Sequence, residues 1–142
     1  MTKQSIFYLA GIIDGEGTIS ITHLKSRNEY RLRLLVTNTD RRLMDWLKTN
    51  FGGLLYRRQD NSGHGWKDKY EWIFLTPRDT IPLLKILSKA LVIKKEQCLI
   101  AIKFLETATI FGKRIGEKGR MARKELYEKM KQLNHRAVAE TK

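Results

Sequence analysis

An apolar, helix-like segment runs directly into two acids near the amino end of the chain, and this junction constrains the fold more than any other feature. Residues 9–17 read LAGIIDGEG. Ile6, Leu9 and Ile13 recur at helical spacing, so residues 5–13 are predicted to form a short helix. Apolar and polar residues alternate from residue 18 onward, which places Asp14 and Glu16 at a helix-to-strand junction.

Small residues in this helix predict a close contact with another helix. Gly11 costs a helix roughly 1 kcal/mol relative to alanine, so its presence needs a packing reason. Ala10 and Gly11 together remove the layer of side chains that normally separates two helices. Gly15 and Gly17 are expected to let the backbone leave the helix at angles that other residues resist.

The position of Glu16 suits a metal ligand. A carboxylate at the end of a rigid helix is held in place, and carboxylate oxygens are ligands that a hard cation such as magnesium prefers. An acidic turn between a helix and a strand, with no ligand, is the alternative that composition alone favours.

Residues 9–17 resemble the LAGLIDADG signature of the homing endonucleases. They depart from it at Ile12, which replaces leucine, and at Gly15 and Glu16, which replace alanine and aspartate. The similarity continues over roughly residues 8–105. It implies an α+β fold in which an antiparallel four-stranded sheet carries helices on one face, in the order α-β-β-α-β-β-α-α.

The resemblance also implies a metal site shared by two copies of the chain. In that family each motif supplies one helix and one acidic ligand, so Glu16, with the backbone carbonyl of Gly15, would bind a divalent cation (Mg²⁺ or Mn²⁺). The motif occurs once in this chain, which implies a homodimer. The implied dimer interface comprises Leu9, Ala10, Gly11 and Ile12.

Three further positions match the family's active site. Asn38, Arg42 and Lys94 fall where polar or basic residues border the scissile phosphates, so they join Glu16 as candidate catalytic residues. Simpler interpretations stay open: Asn38 as a turn or cap, Arg42 on a solvated helix face, and Lys94 as a charge at a helix start. Lys95 is an adjacent rival for the role of Lys94.

The remaining pattern predicts two hairpins, several helices and a basic tail. Alternation predicts strands at 18–25, 30–37, 54–60 and 69–76. Helical spacing predicts helices at 40–51, 78–91, 94–107 and 123–133, with a basic linker at 112–119. We therefore expect an endonuclease domain at 1–111, followed by a C-terminal linker and helix at 112–142. This last helix either contacts DNA or packs on the domain.

One face of the predicted sheet is apolar and the other is polar. A half-solvated antiparallel sheet ordinarily has a polar outer face, so the pattern alone does not require a ligand. Arginine, however, pairs with guanine, glutamine pairs with adenine, and hydroxyl groups suit either base in a major groove. The candidate DNA-binding residues are Ser20, Thr22, Leu24, Arg31, Arg33, Leu35, Thr37, Arg57, Gln59, Lys69 and Glu71.

Composition favours a polyanion as the partner. Lysine and arginine outnumber aspartate and glutamate by 28 to 15, which gives a formal net charge of +13. That excess is typical of proteins that bind nucleic acid. No apolar run is long enough to span a membrane, and residues 1–5 do not show the apolar stretch or cleavage site expected of a signal peptide. The single cysteine, Cys98, gives no disulfide framework. We expect an intracellular protein, in a cytoplasm, nucleoid or organelle matrix, that is not secreted.

The resemblance, supported by the charge and the polar sheet face, implies a site-specific homing endonuclease. It would make a double-strand break by metal-dependent phosphodiester hydrolysis in double-stranded DNA. Strands of about eight residues at ~3.3 Å per residue cover roughly 8 base pairs, so two sheets and a central segment give a pseudo-palindromic target of about 20 base pairs. Two other classes stay open: an RNA maturase that assists group I intron splicing, and a DNA-binding regulator without catalysis.

Overall fold

The computed structural model describes residues 2–74, 77–112 and 114–141 of the chain. Within them, helices and strands follow the predicted order and a last helix completes the fold. The elements are α1 (Lys3–Glu16), β1 (Gly17–Leu24), β2 (Glu29–Asn38), α2 (Arg41–Phe51), β3 (Leu54–Arg58), β4 (Lys69–Phe74), α3 (Pro77–Leu87), α4 (Lys95–Phe111) and α5 (Gly116–Thr141). The end of the fourth predicted strand, at 75–76, lies outside the described residues.

Helix α1 begins with a capping box and ends almost one turn later than predicted. The hydroxyl of Thr2 accepts from the backbone N–H of Ser5 at 3.0 Å, and the Ser5 hydroxyl accepts from the N–H of Thr2 at 2.9 Å. At the other end, a Cβ on Gly17 would lie 2.7 Å from the Cα of Ile13. Glycine is needed there for close approach, because neither Gly15 nor Gly17 has a positive φ. The expectation of unusual backbone angles at these two glycines is therefore wrong.

The four strands form one antiparallel sheet in the order β1-β2-β4-β3. Ile19 lies opposite Leu34, which in turn lies opposite Phe74, and all three are buried. In the next row Val36 lies opposite Trp72, and both are fully buried. The predicted fold class is confirmed, since helices α1, α2, α4 and α5 pack on this apolar face and leave the other face open.

Helix α5 starts earlier and runs farther than the helix predicted at 123–133. Gly119 belongs to the helix rather than to a linker, and a Cβ there would lie 2.6 Å from the Cβ of Ile115. Met130 is buried in the common core, and the Asn134 side chain donates to the carbonyl of Ile19 at 3.1 Å. The C-terminal helix is therefore packed on the domain. None of the described helices, this longest one included, is both long and apolar enough to cross a membrane.

Candidate active site

Glu16 is the last residue of α1, and its carboxylate is exposed beside the end of β2. The side-chain amide of Asn38, the last residue of β2, donates to Oε2 of Glu16 at 2.8 Å. The amide oxygen of Asn38 accepts from the backbone N–H of Asp40 at 2.8 Å. Asn38 therefore joins the end of the motif helix to the start of α2, and it orients Glu16 through one carboxylate oxygen.

Asp40 fixes Arg42 on the surface next to this site. Asp40 caps α2 by accepting from the backbone N–H of Arg42 at 2.9 Å. The Arg42 guanidinium donates back to the same carboxylate through Nε at 3.1 Å and Nη2 at 2.7 Å. This pairing lowers the pKa of Asp40 to about 2. The sequence contained the cap pattern, but the prediction for Arg42 did not include its anionic partner.

Lys94 lies against the carboxyl end of α1. Its ammonium group donates to the backbone carbonyls of Ile13 at 2.8 Å and Asp14 at 3.1 Å. Burial lowers the pKa of Lys94 from its ordinary value, and the charge of Asp14 opposes that shift. A cation at a helix C-terminus complements the helix dipole. The ammonium group of Lys94 therefore lies beside the backbone carbonyls of the residues two and three positions before Glu16. The neighbouring Lys95 is exposed at the start of α4.

Asp14 has a structural role that separates it from Glu16. Its carboxylate accepts from three successive backbone N–H groups, those of Val92 at 2.9 Å, Ile93 at 3.1 Å and Lys94 at 2.9 Å. Both carboxylate oxygens are thus engaged in fixing the segment before α4. Asp14 shapes the end of the motif helix, and Glu16 is the acid left facing solvent.

Replacing Asp14 with alanine should destabilise the protein by about 2 kcal/mol. The substitution leaves three backbone donors without their charged acceptor, and water replaces it only in part. Urea unfolding of the variant, with Glu16→Gln as the matched acid-removing control, would measure the difference. Equal stabilities of the Asp14 variant and the wild type would contradict the assigned role.

The donor set around Glu16 fits a hard divalent cation. Carboxylate and carbonyl oxygens are the ligands that magnesium prefers, and Glu16 and Gly15 offer one of each at an exposed helix end. Among the described residues, however, no group of three or more His, Cys, Asp or Glu side chains could hold a metal by itself.

The exposed face of α1 differs from the predicted interface. Leu9 and Ala10 are buried in the protomer's own core, at 0% and 2% exposure, so their assignment to a dimer interface is wrong. Helical periodicity turns them inward with Ile6 and Ile13, and it turns the residues on the opposite side outward. The α1 stripe is defined here as the outward residues Phe7, Tyr8, Gly11 and Gly15, together with Ile12, which is half-buried and also packs against the core.

The α1 stripe is apolar and exposed. Phe7 and Tyr8 are 56% and 58% exposed, and the ring of Tyr8 packs edge-on against Trp46 with centroids 4.9 Å apart. A Cβ added at Gly11 or Gly15 would meet nothing within 4 Å. These glycines are one helical turn apart, so the stripe presents bare backbone beside exposed aromatic rings.

The open face of the sheet carries most of the predicted DNA-binding residues. Cross-strand pairs place Ser20 beside Arg33 and Thr22 beside Arg31, and both arginines are exposed. Arg31 also forms an ion pair with Glu29 at 3.5 Å. The same face holds Leu24, Leu35, Thr37, Lys69 and Glu71.

The face predicted for Arg57 and Gln59 is wrong. Arg57 lies opposite Tyr70, on the helix-covered side at the edge of the sheet, and it forms an ion pair with Asp68. Gln59 lies beyond β3, which ends at Arg58. Arg58 takes the expected place on the open face, opposite Lys69, and pairs with Glu71 at 3.2 Å.

Comparison with known proteins agrees with this geometry. The model of the LAGLIDADG endonuclease family matches residues 9–103. Curated protein sequences gave no significant match. Among solved structures, the homing endonuclease I-CvuI, in complex with the I-CreI target in 2 mM Mg with the DNA not cleaved, is 18% identical with a TM-score of 0.71, over 92% of this chain and 82% of that one.

Two further structures share the fold. The archaeal intron-encoded homing endonuclease I-Vdi141I, complexed with DNA, is 16% identical with a TM-score of 0.75, over 92% of this chain and 84% of that one. The LAGLIDADG meganuclease I-AabMI, bound to uncleaved DNA, is 18% identical with a TM-score of 0.68, over 86% of this chain and 43% of that one. The family model covers more than half of the chain, with the motif helix at its start, and the chain belongs to the LAGLIDADG endonuclease family.

Proposed function

We propose that the protein is a site-specific DNA endonuclease that acts as a homodimer and cuts both strands of a long pseudo-palindromic duplex with a divalent cation. The observation that carries this proposal is the arrangement at the end of α1. Glu16 is exposed, oriented by Asn38 and flanked by the ammonium group of Lys94. The nearby acid Asp14 is not available as a ligand, because both of its carboxylate oxygens accept hydrogen bonds from backbone N–H groups before α4.

The α1 stripe supports pairing with a second copy. Exposed aromatic rings beside two bare glycines form a surface that another α1 helix can approach closely. A two-fold axis through such a contact places identical residues of the two copies opposite each other. Because Glu16 and Gly15 end this helix, pairing along the stripe brings two carboxylates together.

Each residue at this helix end has a separate role in the proposed hydrolysis. Glu16 and the carbonyl of Gly15 would hold the cation, which when bound lowers the pKa of an attacking water and offsets charge on the phosphate. Asn38 orients the Glu16 carboxylate, and the Asp40 pair fixes the direction of the Arg42 guanidinium. Arg42 then adds positive charge near the phosphate, and Lys94 holds the helix end in place.

The open sheet face supports recognition of the target. Exposed Arg31 and Arg33 of β2 lie opposite the hydroxyl residues Thr22 and Ser20 of β1, the strand that leads away from Glu16. Such a strand pair fits a major groove, where an arginine can donate two hydrogen bonds to one guanine. Two copies related by a two-fold axis would read two related half-sites.

Replacing Arg33 with alanine should relax base preference at one position in each half-site. A lost bidentate contact weakens discrimination against the wrong base by about 1–3 kcal/mol. Sequencing the sites cut from a randomised library by the variant and the wild type would measure the change. Lys124→Ala is the matched control, since an exposed lysine of α5 should weaken binding to all sequences alike and reduce the salt slope by about one unit. If the base preferences of the Arg33 variant are unchanged, the sheet face attracts DNA by its charge but does not recognise bases.

A further inference from the structure

An arginine-lined cleft lies at the far end of the β1–β2 hairpin, away from the candidate active site. It has a volume of about 720 Å³, and it is enclosed by the hairpin turn and by the connection between α4 and α5. Its lining includes five arginines and one acid, Glu29. The arginines are Arg27, Arg31, Arg114, Arg120 and Arg123.

One of these arginines is held rigidly within the cleft wall. Arg123 donates from Nε to the hydroxyl of Thr107 at 2.8 Å, and its guanidinium stacks over the ring of Phe104 at 4.8 Å. Partial burial lowers the pKa of Arg123, and the charge of Glu29 opposes that shift. A guanidinium fixed in this way loses little entropy when an anion binds, because its position is set beforehand.

The charge of the cleft is not balanced within the protein. Glu29 pairs with Arg31, and within the described part of the chain Arg27, Arg114 and Arg120 form no ion pair with an acid. Several guanidinium groups that line one concave space together attract an anion into it. Phosphate oxygens suit such groups, since the planar fork of arginine can donate two hydrogen bonds to them.

The location of the cleft identifies which phosphates it faces. Strand β1 runs directly from Glu16 to Leu24, and the cleft begins at the turn that follows. A strand of this length spans roughly 26 Å at ~3.3 Å per residue, which corresponds to about 8 base pairs of duplex. The cleft therefore lies where a duplex centred on Glu16 leaves the sheet.

We propose that this cleft binds the phosphodiester backbone of the DNA that flanks each half-site, outside the base pairs read by the sheet. The proposal rests on the proposed function, because the position of the duplex follows from it. Each protomer would hold one flank, with Arg27 at the hairpin turn on one side and Arg120 and Arg123 of α5 on the other. The flanking contacts add affinity and salt dependence without adding base preference.

The test compares two duplexes that carry the same site recovered by selection for binding from random-sequence DNA. One duplex is about 20 base pairs long and the other is extended to about 40, beyond the expected reach of the sheets. Affinity is measured in EDTA over a range of salt concentrations. Wild-type protein should bind the longer duplex about 10-fold more tightly, with a salt slope steeper by about two units.

The variant Arg114→Gln/Arg120→Gln removes two charges from the cleft, and Lys48→Gln/Lys103→Gln removes two exposed charges elsewhere. The cleft variant should lose most of the gain from the longer duplex, and the control should keep it. Equal gains in both variants, or no gain in the wild type, would overturn the proposal. A cleft variant that keeps the gain but loses affinity for a structured RNA hairpin would also overturn it and make the cleft an RNA site. Failure to enrich any DNA site would overturn the proposed function together with this inference.

Discussion

The Glu16→Gln variant should bind its target duplex and fail to cut it. Glutamine keeps the shape of the side chain, and its amide oxygen can still accept from Asn38, so the local structure stays in place. It removes the negative charge that would hold the cation. A bound metal contributes several kcal/mol to the stability of the transition state, so cleavage should fall by at least about 10³-fold. Binding should stay equal or rise slightly, because a negative charge near the phosphates is gone.

Linearisation of a plasmid that carries the selected site measures this effect in magnesium and in manganese. The control is Glu106→Gln, which removes an acid of α4 that forms only a surface pair with Lys85 at 3.7 Å. That variant should cut at the wild-type rate, since surface pairs contribute little to stability. Cleavage by Glu16→Gln at a rate close to that of the wild type would remove Glu16 from the metal site.

The Gly11→Leu variant should fold as a stable protomer that no longer forms dimers. A side chain at Gly11 meets nothing within 4 Å in the protomer, and leucine favours a helix more than glycine does. In the proposed dimer the same side chain enters the contact between two α1 helices. Overpacking costs about 1–3 kcal/mol at each site, and the two-fold axis doubles it. Double-strand cleavage should be lost along with the dimer.

Sedimentation at micromolar concentration, together with urea unfolding, tests both parts of this expectation. Gly17→Ala is the contrasting variant, because its Cβ would lie 2.7 Å from the backbone of Ile13. This smaller substitution should destabilise the protomer itself, whereas the larger one at Gly11 should not. If Gly11→Leu protein sediments as the wild type does and still linearises DNA, the α1 stripe is not the interface.

The sequence predicted the sheet and the motif helix well because their patterns are local. Alternation along β1 and β2 sets which side chains are buried, and the structure confirms that Ile19, Leu34 and Val36 face the core. The neighbourhood of Glu16 and Asn38 was also anticipated, but only through resemblance to a family. The two residues are far apart in sequence, and a hydrogen bond between them depends on how β2 crosses the end of α1.

The wrong or missing predictions concern the dimer interface, the short strand β3 and the partner of Arg42. The assignment of Leu9 and Ala10 to the dimer interface came from the family resemblance, although helical spacing turns both residues toward the protomer's core with Ile6 and Ile13. The assignment of Arg57 failed because β3 is short and a one-residue shift exchanges the two faces of a strand. The sequence did not predict the partner of Arg42, because the pairing depends on Asp40 capping α2 and turning its carboxylate toward the guanidinium.

The most direct test of the account is the sequence of the ends produced when the wild-type protein cuts a randomised duplex library in magnesium. We expect cut ends at one defined position, flanked by base preferences that are related by a two-fold axis over about 20 base pairs. That result would require both a catalytic centre and two copies of the chain on one duplex. A library left intact in magnesium and in manganese, or a cut site whose flanking preferences lack two-fold symmetry, would contradict the account.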